Sequence, residues 1–149
     1  MPHVAALLRV ARRLTLNSPS AEDLVQETMY RAWRGFSQFE AGTNARAWLF
    51  RILFNAFHAE GRKRALVVTE VPELAIGPTQ QEAAEVRQAL DALPVEQRTV
   101  LLLAAVEGFT CREIAGILDI PMGTVMSRLS RAREELRGIL APLVKEATR

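Results

Sequence analysis

Nearly every segment of this chain repeats its apolar residues at the three-to-four spacing of an α-helix, and alternating β-branched runs are almost absent. Prolines and glycines fall mostly between the periodic segments. The pattern predicts an all-α chain with helices near residues 3–15, 20–34, 45–63, 81–92, 94–108, 111–118 and 122–140. Ser20, with Asp23 three residues on, is the expected N-cap of the second helix. "TCRE" at 110–113 reads as a capping box, Thr110 capping and Glu113 reaching back. Residues 65–80, "ALVVTEVPELAIGPTQ", carry two prolines, a glycine and little helical period. The expected layout is therefore two small helical domains, residues 1–64 and 81–149, joined by a flexible linker over 65–80.

The 149 residues, 49% of them apolar, suffice for such domains. A single cysteine excludes an internal disulfide framework. The start, "MPHVAALLRVARRL", breaks its apolar pattern with arginines, so neither a signal peptide nor membrane insertion is expected, and a cytoplasmic location is. Charge is uneven. Residues 1–64 hold ten Lys/Arg against five Asp/Glu, residues 65–96 one against six, and residues 97–149 eight against six. Basic blocks around an acidic middle suit a polyanion partner. They equally suit solvated helix faces, and charge alone leaves both open.

In "TCREIAGILDIPMGTVMSRLSRAREEL", Ile114, Leu118, Ile120, Val125 and Leu129 are spaced to join two helices across a tight turn, with small Ala115 at the crossing. This reads as helix-turn-helix. The second helix would display Thr124, Ser127, Arg128, Arg131 and Arg133, and residues 123–133 hold three arginines and no acid. Arginines so placed reach guanine edges or phosphates in a major groove.

The aromatics are crowded: eight of nine lie between Tyr30 and Phe57. On a helical wheel of "GTNARAWLFRILFNAFHAEGRKR", Arg51, Asn55, His58 and Arg62 form one polar stripe. Leu49, Leu53, Ala56 and Phe57 lie opposite, while Trp48 and Phe54 flank the stripe. Rings beside cations and an amide suit single-stranded nucleic acid. Boundary core is the other reading of the two rings, and the wheel does not choose. In "AEDLVQETMYRAWRG" a second polar face gathers Asp23, Gln26, Glu27, Tyr30 and Arg34, while Val25, Thr28, Met29, Ala32 and Phe36 turn inward. An exposed Tyr among acids fits protein docking or a solvated face.

The stretch "AEDLVQETMYRAWRGFSQFEAGTNARAWLFRILFNAF" resembles domain two, and "LPVEQRTVLLLAAVEGFTCREIAGILDIPMGTVMSRLSRAREELRGIL" domain four, of bacterial RNA polymerase sigma factors of the extracytoplasmic-function group. Both motifs stand in the family's order. The resemblance implies binding to core RNA polymerase, at its β′ clamp helices and β flap, and to promoter DNA, with an anti-sigma factor as a further partner. It assigns −35 contacts to Arg112, Thr124, Ser127, Arg128, Arg131 and Arg133. It assigns −10 reading and melting to Asn44, Trp48, Arg51, Asn55, His58, Arg62, Lys63 and Arg64, with the loop from Phe39 to Ala45 receiving a flipped base. Polymerase contacts fall to Asp23, Gln26, Glu27, Tyr30 and Arg34.

His3 and His58 have no Cys or acid at ligand spacing, so no metal is expected. No phosphate loop, dinucleotide fingerprint or catalytic triad appears, so neither a cofactor nor an enzyme activity is expected. A stand-alone regulator with a C-terminal helix-turn-helix is the main rival reading. It would need neither the docking face nor the aromatic-edged stripe.

Overall fold

Asn17, rather than Ser20, starts the second helix. Its side-chain oxygen accepts the backbone N–H of Ser20 at 3.0 Å, and its own backbone is extended. Pro19 then sits in the first turn, where a missing N–H costs nothing. Ser20 is thus the capped residue. The expected boundary moves because an Asn–Ser–Pro–Ser run offers two caps, and only the earlier one lets proline enter the helix. The capping box at Thr110 and Glu113 forms as expected, with bonds of 3.1 and 3.0 Å.

In this computed structural model residues 3–39, 44–61 and 81–147 are described. They form α1 (Val4–Thr15), α2 (Ser18–Arg34), α3 (Ala45–Gly61), α4 (Gln81–Ala92), α5 (Val95–Leu101), α6 (Cys111–Leu118) and α7 (Met122–Ala147). No strand occurs among the described residues, and the fold is all-α. The linker expected at 65–80 lies outside them, as do Arg62, Lys63 and Arg64.

Two short segments shape the site. A 3-10 turn, Phe36–Gln38, follows α2. A π-helical turn, Leu102–Val106, prolongs α5. The Glu107 N–H donates five residues back, to the Leu102 carbonyl, at 3.0 Å. Gly108, at φ 74°, then reverses the chain in a conformation that favours glycine. The reversal brings Phe109 edge-on to Phe50, ring centroids 5.6 Å apart.

That contact crosses from one half of the chain to the other, and it is not isolated. Leu7, Val10, Leu24, Phe50 and Leu53 of the first half share one continuous buried cluster with Val100, Leu103, Ile114, Val125 and Leu129 of the second. Helix α3 packs on α2 and also on α6, while α1 reaches α4 and α5. This corrects the wheel reading of α3. Phe54 is buried, not beside the polar stripe, and Phe50 is fully buried. Phe57, expected at the core centre, is only partly covered. A helix clasped by neighbours on several sides buries an arc wider than the single amphipathic face the wheel assumes.

Candidate nucleic-acid interface

The turn between α6 and α7 is set by Asp119, whose left-handed backbone (φ 55°) ends α6 while its N–H bonds the Ala115 carbonyl. Short polar side chains tolerate that conformation. Val125, Leu129 and Ala132 anchor α7 in the core. Ser127, Arg131 and Arg133 are left facing solvent, as is Arg112 on α6. Thr124 and Arg128 turn partly towards α5. The Arg128 guanidinium stands 3.9 Å from Glu96, and both line a cleft of ≈ 360 Å³ with Gln97, Thr124, Ser127 and Arg131. The six residues expected to serve −35 binding therefore divide. Arg112, Ser127, Arg131 and Arg133 are exposed, Ser127 and Arg131 while also lining the cleft, whereas Thr124 and Arg128 are half-buried in it.

On α3 the polar stripe survives: Arg51, Asn55 and His58 are exposed. Trp48 is half-buried and settles the contest between surface and core as an edge position. One side joins the core, and its ring lies 4.9 Å from that of Phe39. Phe39 in turn stacks on Phe36 at 6.2 Å. These rings form a row beside the start of α3, and offset arrangements of this kind are favourable. Asn44 has a structural task as well. Its Oδ1 accepts the Ala47 N–H at 3.1 Å, capping α3, and its Nδ2 donates to Glu113 at 3.2 Å.

The α2 face is exposed at Asp23, Gln26, Tyr30 and Arg34, with Glu27 half-buried. Glu27 pairs with Arg31 one turn on at 2.9 Å, and the Arg34 guanidinium lies 5.8 Å from the Tyr30 ring centre. The sequence reading missed the largest features here. Trp33 is 78% exposed and Phe36 66%, beside Tyr30 at 52%. Trp33 follows Gln26 and Tyr30 at i, i+7 and i+3, so the wheel held its signal. Phe36 was expected to turn inward by extending the helix period, but α2 ends at Arg34 and the 3-10 turn swings the ring outward. Three large aromatic side chains left in solvent within seven residues make this stretch a candidate contact surface.

The seam between the halves is ionic as well as apolar. Glu107, its side chain 1% exposed, accepts from Arg9 Nε and Nη2 at 3.0 and 2.9 Å and from Arg46 Nη2 at 2.9 Å. Arg46 also donates to the Glu107 carbonyl and lies 4.3 Å over the Phe109 ring. Arg13 bonds Asp91 at 3.1 Å, and Arg98 donates to the Asp91 carbonyl at 3.2 Å. Burial pulls the Arg98 guanidinium below its ordinary value, the Asp91 charge opposes this, and Arg13 adds to it. The Glu113 carboxyl is held below its ordinary range, first by the Thr110 backbone N–H, then by the Thr110 hydroxyl, and less by Asn44 and Arg46. Nothing in the sequence paired Arg9, Arg13 or Arg46 with these acids, because the partners lie 98, 78 and 61 residues away. Part of the basic block of the first half, Arg9, Arg13 and Arg46, thus answers acids of the second half. No group of residues that could hold a metal occurs among the described residues, and no described helix is long and apolar enough to cross a membrane.

Comparison with known proteins agrees with this arrangement. Residues 1–66 match the family model of Sigma-70 region 2, and residues 83–136 that of Sigma-70, region 4. The chain is 39% identical over 145 residues to the ECF RNA polymerase sigma factor EcfG of Rhodopseudomonas palustris (strain TIE-1), covering 92% of this chain and 80% of that one. Among solved structures it is similar to the sigma factor RpoE in complex with the anti-sigma factor NepR from Bartonella quintana. The identity there is 35% and the TM-score 0.80, over 93% of this chain and 92% of that one. It is also similar to CnrH in complex with the cytosolic domain of CnrY, with 30% identity and a TM-score of 0.72, over 95% and 84% of the two chains. The chain belongs to the extracytoplasmic-function family of RNA polymerase sigma factors.

Proposed function

We propose that the protein directs promoter-specific initiation through three separate surfaces, acting as a specificity subunit in the cytoplasm and not as a catalyst. The open residues of α7 and α6, Ser127, Arg131, Arg133 and Arg112, read and grip the −35 duplex. Thr124 and Arg128 frame the adjoining cleft and steady the helix there. Helix α3 serves the −10 element, with Asn55 reading a base, Arg51 and His58 holding the strand, and Trp48 with Phe39 stacking near the base-receiving loop. Arg62, Lys63 and Arg64 continue that grip along the backbone, and Asn44 shapes the loop's exit. The boundaries follow: residues 1–64 handle polymerase and −10, residues 81–149 handle −35, and residues 65–80 connect them.

The α2 face docks core polymerase, with Asp23, Gln26, Glu27, Tyr30 and Arg34 joined by Trp33 and Phe36. A face combining acids with exposed aromatic rings suits a partner with cations around apolar pockets. An anti-sigma protein is a further partner, supported by the similar sigma factor RpoE, solved in complex with the anti-sigma factor NepR.

The observation that carries this reading is the outward presentation of two polar stripes, one per half, each on a helix anchored by a buried opposite face. The test mixes the purified chain with core polymerase and a library randomised at both promoter elements. Selected templates should share two short elements at a fixed spacing and start transcription at one position. Templates sharing a single duplex element, bound without polymerase, would instead support the stand-alone regulator.

A further inference from the structure

Met122 and Met126 stand one turn apart on α7, and the function proposed above gives neither a task. They are 49% and 54% exposed, whereas their neighbours Val125 and Leu129 are buried. The chain thus leaves two long apolar side chains half in water, beside the residues proposed to read duplex DNA. Their place along the helix matters. A recognition helix meets base edges with its N-terminal residues. Met122 opens α7, and Met126 lies in its second turn. Ser127 and Ser130, exposed next to Met126, are too short to screen it. Arg133 follows Met126 two turns on, along the same flank, and is exposed as well.

Charge says what kind of surface fits here. Residues 123–133 hold three arginines and no acid. The occupant must be anionic around its rim and apolar at one point within. Duplex DNA meets both conditions in its major groove. Phosphates line the rim, and the 5-methyl group of thymine is the apolar group that a base edge presents there. Methionine suits such a contact, because its unbranched, polarisable side chain adapts to an irregular surface.

We infer that Met126, supported by Met122, makes an apolar contact with the 5-methyl group of a thymine in the −35 duplex and so fixes an A·T pair at one position of that element. The inference rests on the −35 role proposed for α7 and adds a reader that a charge pattern does not disclose. Arginine and methionine then discriminate by different physics. An arginine answers hydrogen-bond acceptors, whereas this contact depends on the methyl group alone.

The experiment exploits that difference, since deoxyuridine keeps every hydrogen-bonding group of thymidine and lacks only the methyl. A promoter selected by the chain bound to core polymerase is resynthesised with each thymine of its −35 element, on either strand, replaced in turn by uracil. Competition against the thymine parent reads the ratio of affinities. One replacement should weaken wild-type binding about fourfold, the effect of withholding one methyl-sized group from burial. Met126→Ala should bind the parent at least as weakly as wild type binds that uracil template. It should show no further loss on the uracil template, because both changes remove one contact and are not additive. Met126→Leu should keep the sensitivity and Met126→Gln should lose it, all with wild-type helicity by circular dichroism. Indifference of the wild type to every uracil overturns the contact. So does a methyl effect that persists in Met126→Ala, which assigns the methyl to another side chain, and so does a selected −35 element without an A·T pair. If no −35 element emerges from the library, the reading of α7 fails and the contact falls with it. An element that emerges but ignores the methyl removes the contact alone.

Discussion

Arg131 and Arg128 look equivalent in sequence, three residues apart on one basic helix, but the fold treats them differently. Arg131 is exposed, whereas Arg128 leans on Glu96 at 3.9 Å. Arg131→Ala should cost about 1–3 kcal/mol of −35 binding if it reads a base, and relax preference at one position. Arg128→Ala should cost less, because part of its charge is already answered by Glu96. Gel-shift titration of both variants against single-base changes measures this, and a larger loss at Arg128 would reverse the orientation given to α7. The buried rings of α3 supply a second contrast. Phe50→Ala and Phe54→Ala each remove a fully buried ring and should cost about 3–5 kcal/mol of stability. Trp48→Ala and Phe57→Ala should cost less, since both are only partly covered. Thermal or denaturant melts rank the four, and a Trp48→Ala as damaging as Phe54→Ala would make Trp48 core and remove it from the melting surface.

The capping box at the head of α6 carries a pH signature. Glu113 bonds the Thr110 N–H at 3.0 Å, and its carboxyl lies below its ordinary range in the folded protein. A depressed carboxyl contributes stability above its unfolded value, and that contribution is lost as pH falls through the lower, folded value. The melting temperature of wild type should therefore exceed that of Glu113→Gln at neutral pH, and the gap should close under acid. A gap that ignores pH would mean the carboxylate charge plays no part. Thr110→Ala should cost about 1 kcal/mol at neutral pH through loss of the cap. At this scale most of the architecture was legible. The capping box, the α4 span and the helix-turn-helix spacing are local patterns that a sequence carries within a few residues. The start of α2 was not, because Asn17 and Ser20 compete as caps and only proline's demand for the first turn decides between them. Trp33 lies on the polar side of the α2 wheel, but a large ring is ordinarily buried, so its 78% exposure did not follow from the wheel alone. Its exposure gives a further prediction. Trp33→Ala should weaken capture of core polymerase at least as much as reversing the charges of Asp23 and Glu27 together, while leaving helicity unchanged. Wild-type capture by the Trp33 variant would move the docking surface elsewhere.

At the scale of the whole molecule, two helical halves meet through a shared core and a belt of ion pairs. None of that seam could be read from local periodicity, because each pairing joins residues 61 or more positions apart. The wheel assigned α3 one buried face because it could not know that α6 would pack against a second. The basic block that suggested a polyanion is divided between internal partners, at Arg9, Arg13 and Arg46, and outward residues such as Arg51. The surfaces proposed to face DNA and polymerase are among those left exposed after the halves have satisfied each other. The central claim, that this chain opens promoter DNA with α3 once bound to polymerase, is tested most directly by transcription from a library-selected promoter supplied either as full duplex or already unpaired across its −10 element. The wild-type protein should start at one site on both templates. Trp48→Ala should fail on the duplex and recover on the unpaired template, where strand separation is already provided, and Asn55→Ala should recover only in part if it reads a base. Equal activity of wild type and both variants on the duplex would contradict the melting role of α3, and no dependence of start-site choice on the added chain would contradict the account as a whole.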